Sequence, residues 1–177
     1  MSTEYVILVD EQGQELGVME KLQAHQEAKL HRAISVFVFN SKKELLLQKR
    51  AATKYHSANL WTNTCCSHPK PTEDTLAAAK RRLQEEMGLR CEIKYAFHFT
   101  YLTAFENGLS EHEFDHVFFG FSDDVPKPNP EEVAAYKYMN LQEIENQLKQ
   151  TPQEFTVWFK LILNRIKNEM NKVNNLQ

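Results

Sequence analysis

The stretch from Glu73 to Met87, EDTLAAAKRRLQEEM, constrains the chain most, because its two ends and its interior all specify the same structure. Thr72 is placed to cap a helix there, and Glu73 and Asp74 suit its positive end. No proline or glycine interrupts it, and Gly88 stands where a C′ glycine ends a helix. The segments around it read as strands. AISVFVFN (33–40) and ELLLQKR (44–50), joined by NSKK, predict a β-hairpin. YVILVD (5–10) reads as a short strand, QGQELG as a turn, and the polar residues 20–31 as helix or extended loop. Further strands are expected at about 91–103, 113–121 and 132–139. Asn140 and Glu143 have capping-box spacing ahead of a short helix to about 149. Thr151, Pro152 and Glu154 are placed as N-cap, N1 and N3 of a last helix. Phe155, Trp158, Phe159, Ile162, Leu163 and Ile166 stripe one face of it. Hairpins in place of regular βαβ alternation predict a mixed α/β chain of the α+β kind.

Composition sets the outer bounds. The 177 residues are 42% hydrophobic and 11% aromatic, which suits one globular domain spanning 1–177. DDVPKPNPEE (123–132) reads as a surface loop, not a linker. A net charge of −3 supplies no global basic field for nucleic acid, so an anionic ligand has to be held locally. No apolar run reaches the about 18 residues that a membrane-spanning helix needs. The N-terminal stretch turns polar after Val9, short of a signal peptide, and three cysteines, two of them adjacent, make a poor disulfide framework. A cytoplasmic chain with free thiols is expected. No heptad seam suggests a coiled-coil dimer, so the expectation is a monomer or weak homodimer.

Three local patterns carry chemistry. On the helix, Arg82 and Glu86 share a face, which by itself reads as a solvated i,i+4 pair. In SEHEFDHVFF (110–119), strand alternation sends Glu111, Glu113 and Asp115 to one face and His112 and His116 to the other. Three carboxylates on one face suit either a solvent edge or a site that neutralises them. With His25, His31 and His68, Glu111 and Glu113 supply the imidazole–carboxylate mixture that binds Zn²⁺, Mn²⁺ or Fe²⁺, though spacing does not show that they meet. In NTCCSHP (63–69), Cys65 and Cys66 point opposite ways if the segment is extended, so only one thiol can face a ligand. An inert packed thiol is the plain reading of either cysteine.

The helix fits the Nudix box, G-x5-E-x7-R-E-U-x-E-E-x-G-U, with Glu73, Arg81, Leu83, Glu85, Glu86, Gly88 and Leu89 in the defined places. Ser67 takes the first glycine position, and one position departs: Arg82 stands where a hydrolase has glutamate. Together with EKLQAHQEAKLHRA (20–33), LLLQKRAATKYH (45–56), LWTNTCCSHP (60–69), FTYL (99–102) and SEHEFDHVF (110–118), the chain resembles the type I isopentenyl diphosphate isomerases, a branch of the Nudix superfamily. The resemblance runs from about residue 4 to residue 160. It implies a Nudix-type mixed β-sheet sandwich flanked by helices. It also implies an enzyme that interconverts isopentenyl and dimethylallyl diphosphate by protonation and deprotonation across a carbon–carbon double bond.

On this resemblance, Cys66 exchanges one proton, and Glu113, assisted by Tyr101, exchanges the other. His25, His31, His68, Glu111 and Glu113 hold one divalent ion (Mn²⁺, Zn²⁺ or Fe²⁺). Glu86 holds Mg²⁺ against the diphosphate, and Lys21, Arg50, Lys54, Ser67 and Arg82 bind the anion. Trp158 offers its π-face to the developing cation. A small homoallylic or allylic diphosphate is the expected partner. The competing readings are a Nudix hydrolase of a nucleoside diphosphate derivative, which Arg82 and Cys66 argue against, and a metal-binding structural module, which leaves the basic residues without a task.

Overall fold

A computed structural model describes residues 3–174. Its elements are β1 (Tyr5–Val9), β2 (Glu15–Glu20), α1 (Lys21–Gln26), β3 (His31–Phe39), β4 (Leu45–Arg50), β5 (Trp61–Thr62), β6 (Cys65–Ser67), α2 (Thr75–Met87), β7 (Ile93–Ala104), β8 (Ser110–Phe121), β9 (Val133–Met139), α3 (Leu141–Gln150) and α4 (Val157–Asn174). Strand β3 is the axis of a single curled, mixed sheet. One of its edges pairs in parallel with β8 from His31↔Glu113 to Phe39↔Phe121. The other edge is shared in turn by β1 at His31, β6 at residues 34–36 and β4 at Phe39.

Helices cover both faces of this axis, which is why β3 reads as an unbroken apolar run. Ile34, Val36 and Val38 point to α2, meeting Ala79, Leu83 and Met87. Phe37 and Phe39 point to α4, meeting Trp158, Phe159, Ile162 and Leu163. Leu46 goes to the α2 side, and Leu45 and Leu47 to the α4 side.

Four expectations need correction. The β3–β4 turn forms, but the two strands pair only at Phe39↔Leu45 and then splay. The later segment Trp61–Ser67 wedges between them, β6 pairing with β3 and β5 with β4. Buried Thr64 spans the gap, accepting from the Val38 amide (2.9 Å) and donating to the Leu46 carbonyl (2.7 Å). Secondly, Asp74 caps α2, accepting from the Leu76 and Ala77 amides, while Thr72 takes a left-handed φ of 68° in the preceding turn. Thirdly, Thr151, Pro152 and Glu154 head a 3₁₀ turn, and α4 starts only at Val157 after Phe155 has run extended beside Trp61. Finally, part of the expected QGQELG turn belongs to strand β2, which pairs with β1 along its length.

Candidate active site

The wedge between β3 and β4 places the thiols. Asn63, fully buried, donates to the carbonyls of Val36 (3.2 Å) and Cys65 (2.7 Å) and fixes the segment's path. The extended backbone then sends Cys65 into the core against α2 and Cys66 to the opposite side, where it lines a cleft. Burial pushes the Cys66 thiol up, and the charge of Arg50 opposes this only in part.

Beyond β3's other edge, β8 carries the carboxylates on one face, as alternation predicts: Glu111, Glu113 and Asp115 are all buried. Asp115 accepts from Ser35 Oγ at 2.7 Å, and burial beside Glu113 raises its pKa well above the usual range. The Tyr101 hydroxyl, on β7, lies 2.7 Å from Glu113 Oε2 and 3.0 Å from Glu111 Oε2, one phenolic proton between two carboxylates. Burial and the charge of Glu113 push Glu111 up to about 8. Burial acts on Glu113 in the same sense, but the hydrogen bond with His68 and the nearby His31 imidazole outweigh it and hold that carboxylate well below the usual range.

Three imidazoles converge on Glu113. His31 donates from Nδ1 to the Lys29 carbonyl (2.8 Å), which leaves its Nε2 lone pair facing His68 Nε2 at 3.2 Å. His68 Nε2 lies 2.9 Å from Glu113 Oε1. His25 holds Tyr55 Oη through Nδ1 (3.2 Å), and its buried Nε2 has no hydrogen-bond partner. Burial first, then the neighbouring imidazoles, lowers His25 to about 3. Burial lowers His68 to about 4. Neutral imidazoles are ligands. One ligand atom from each of His25, His31, His68 and Glu113 lies within 4.8 Å of all the others. This N₃O set, with an orphaned nitrogen aimed inward, fits a divalent ion. Glu111 stands beside the set and outside that radius, its Oε1 3.0 Å from His56 Nε2.

The basic residues rim the same cleft: Lys21, Arg50, Lys54 and Arg82 line it with Ser67. Each is already engaged by a protein group. Lys21 pairs with Glu4 at 2.7 Å, Lys54 with Glu132, and the Arg50 guanidinium sits 5.3 Å over the Trp158 ring. Arg82 reaches Glu85 (2.8 Å), Glu86 (2.7 Å) and Glu132 (3.2 Å). Burial works against its charge, and Glu86 foremost, with Glu132, more than restores it. Glu86, 4% exposed, also accepts from Gln48 Nε2 at 2.8 Å, so its pair with Arg82 is a buried one and not a solvated surface pair. Trp158, 3% exposed, both packs in the core and lines the cleft.

The cleft thus gathers Cys66, His68, Glu111, Glu113, Tyr101, Trp158 and the five anion-binding candidates, while His25, His31 and Glu86 stand buried behind its wall. Sequence reasoning missed His56, Tyr55, Ser35 and Glu132. Tyr55, His56 and Glu132 lie outside helices and strands and Ser35 is a lone polar residue in an apolar strand, so residue type and spacing alone do not mark them.

The NUDIX domain family model matches residues 29–159. An isopentenyl-diphosphate Delta-isomerase of Pectobacterium atrosepticum is 56% identical, over 91% of this chain and 90% of its own length. Isopentenyl-diphosphate Delta-isomerase 2 of Aromatoleum aromaticum is 52% identical, over 91% of this chain and 85% of its own. Among solved structures, a protein of Deinococcus radiodurans matches with a TM-score of 0.69 at 19% identity, covering 83% of this chain and 90% of that one. A MutT protein of Methanosarcina mazei matches with a TM-score of 0.67 at 19% identity, covering 79% and 94%. These two structures share the fold.

Proposed function

The chain belongs to the NUDIX domain family and, within it, to the isopentenyl-diphosphate Delta-isomerases, and from that premise we propose how its cleft performs the reaction. The activity is the interconversion of isopentenyl and dimethylallyl diphosphate in isoprenoid biosynthesis. One proton joins the terminal methylene carbon, the double bond shifts by one position, and one proton leaves the methylene on the other side. Two proton-exchanging groups on either side of a bound alkene are required. The observation that carries our reading is that Cys66 and Glu113 enter one cleft from opposite edges of β3.

In the forward direction Glu113, which must first take up a proton, delivers it to the terminal carbon with the Tyr101 hydroxyl assisting, and Cys66 as thiolate removes the other. In reverse the Cys66 thiol donates. Because burial favours the thiol, Cys66 must lose its proton before the forward step. His25, His31, His68 and Glu113, with Glu111 beside them, would hold a divalent ion (Mn²⁺, Zn²⁺ or Fe²⁺), which would supply positive charge beside the acid. Trp158 presents an aromatic wall where the tertiary cation develops, and the cleft's burial keeps water from trapping it. Lys21, Arg50, Lys54, Ser67 and Arg82 bind the diphosphate, and Glu86 is the carboxylate for a Mg²⁺ that accompanies it. These contacts require Glu4 and Glu132 to yield Lys21, Lys54 and Arg82 to the incoming phosphates.

We further infer a single domain acting in the cytoplasm as a monomer or weak homodimer. Free cysteines support this reading, and no described helix is long and apolar enough to cross a membrane. Steady-state assays of isopentenyl diphosphate against a panel of nucleoside diphosphate derivatives, all with Mg²⁺, test the function. Isomer formation without phosphate release is expected. Hydrolytic turnover of a nucleotide with no isomerisation would overturn the reading.

A further inference from the structure

His56 belongs to none of the groups assigned so far, yet its side chain lines the cleft and is held there on two sides. It sits in the loop between β4 and β5 and is 9% exposed. Its Nε2 lies 3.0 Å from Glu111 Oε1. Its ring stacks on Phe105, at the end of β7, with centroids 4.6 Å apart and planes 15° apart. Its backbone carbonyl accepts from Arg50 Nη2 at 3.3 Å. One residue earlier, the Tyr55 carbonyl accepts from Asn107 Nδ2 in the β7–β8 turn at 3.1 Å. The Tyr55–His56 pair therefore latches its loop to the β7–β8 hairpin, and Glu111 is the point where that latch reaches the acid cluster.

We propose that His56 is a positioning residue that acts through Glu111. Held by the imidazole, Glu111 Oε1 fixes the carboxylate so that Oε2 faces Tyr101 and the Glu113 side, where the metal ligands converge. When Glu111 is ionised, the Nε2–H of His56 donates to Oε1 and leaves Oε2 available. Without that anchor, the carboxylate is tied only through the phenol that it shares with Glu113, and it is free to turn. A hydrogen-bond partner behind a metal-binding carboxylate typically governs metal affinity or rate by about 10–100-fold. The proposal rests on the reading of Glu111 as a group of the metal site.

Two substitutions separate the hydrogen bond from the ring. His56→Phe keeps a ring to stack on Phe105 and loses the donor. His56→Gln keeps an amide N–H near the place of Nε2 and loses the ring. Mn²⁺ dissociation constants are measured on the wild type and both variants by competition with a chelator, alongside thermal midpoints, kcat and KM. His56→Phe is expected to bind Mn²⁺ and to turn over about 10–100-fold less well, with KM within about threefold. His56→Gln is expected to recover most of both losses. In a Glu111→Gln background, His56→Phe should weaken Mn²⁺ binding no further, because the two act through one contact. The Mn²⁺ measurement needs no turnover, so it reads the His56–Glu111 coupling even if the wild type fails as an isomerase. Mn²⁺ affinity and kcat of His56→Phe within about threefold of wild type would overturn the proposal. So would tighter Mn²⁺ binding, which would mean that His56 holds Glu111 off the metal. Should His56→Phe fail to fold, His56→Gln decides alone: a drop in Mn²⁺ affinity of about tenfold or more at unchanged thermal midpoint would also overturn it.

Discussion

Cys65 and Cys66 are neighbours in the chain and belong to different regions of the protein. Cys65 is fully buried between β3 and α2, and Cys66 reaches the cleft on the α4 side. Cys66→Ala is expected to abolish isomerisation with little loss of stability. Cys65→Ala should keep most of the activity and cost about 1 kcal/mol of packing. Equal loss of activity in two folded variants would contradict this assignment. Arg82 needs a subtler expectation, because it serves both the buried Glu86 and the cleft. Arg82→Gln should raise KM by about 10–150-fold, the value of a charge-assisted contact of about 1.5–3 kcal/mol. It should also lower the thermal midpoint, because Glu86 is left with Gln48 as its remaining partner. A KM change below about threefold, measured by steady-state kinetics, would remove Arg82 from the diphosphate site. At this scale, strand alternation alone made the opposed thiols and the carboxylate face legible. His56 and Glu132 were not, because an inward-turning loop leaves no periodic trace.

Among the elements, α2 was the most legible because its ends are written in local chemistry. Gly88 ends it with a φ of 64°, and a Cβ there would come within 2.5 Å of the Lys127 carbonyl oxygen. The loop after β8 docks at this point, Lys127 and Asn129 donating their amides to Met87 and Glu86 carbonyls. Gly88→Ala therefore combines left-handed strain with a backbone overlap and should cost about 2–4 kcal/mol. Urea unfolding checks this: the midpoint should fall at unchanged slope. A loss below about 0.5 kcal/mol would mean that the loop relaxes freely. The β3–β4 hairpin shows the opposite limit. Its turn was readable, but its pairing was not, because the strand that separates the arms arrives more than ten residues later and is held by buried Asn63 and Thr64. Strand β2 was missed because it lies at the sheet edge with Leu16 and Val18 exposed, so backbone pairing and not burial defines it.

For the whole molecule, the sheet's branching at β3 is what makes a site. One edge carries the acids in on β8, and the other admits β6 with its thiol into the gap left by β4. The helices that cover the two faces bring Arg82 from α2 and Trp158 from α4 to the same opening, with Glu86 buried behind Arg82. The mixed α+β class was legible from the order of the elements. The cleft was not, because it depends on non-local pairings. The central claim is that protons are exchanged on two sides of the bound alkene by groups on opposite edges of β3. NMR of isopentenyl diphosphate incubated with the protein and Mg²⁺ in D₂O tests it most directly. The account predicts dimethylallyl diphosphate carrying deuterium in a methyl group derived from the terminal carbon, with a proton lost from the methylene on the other side. Isomerisation without deuterium entering the product, or phosphate release with the double bond unmoved, would contradict it.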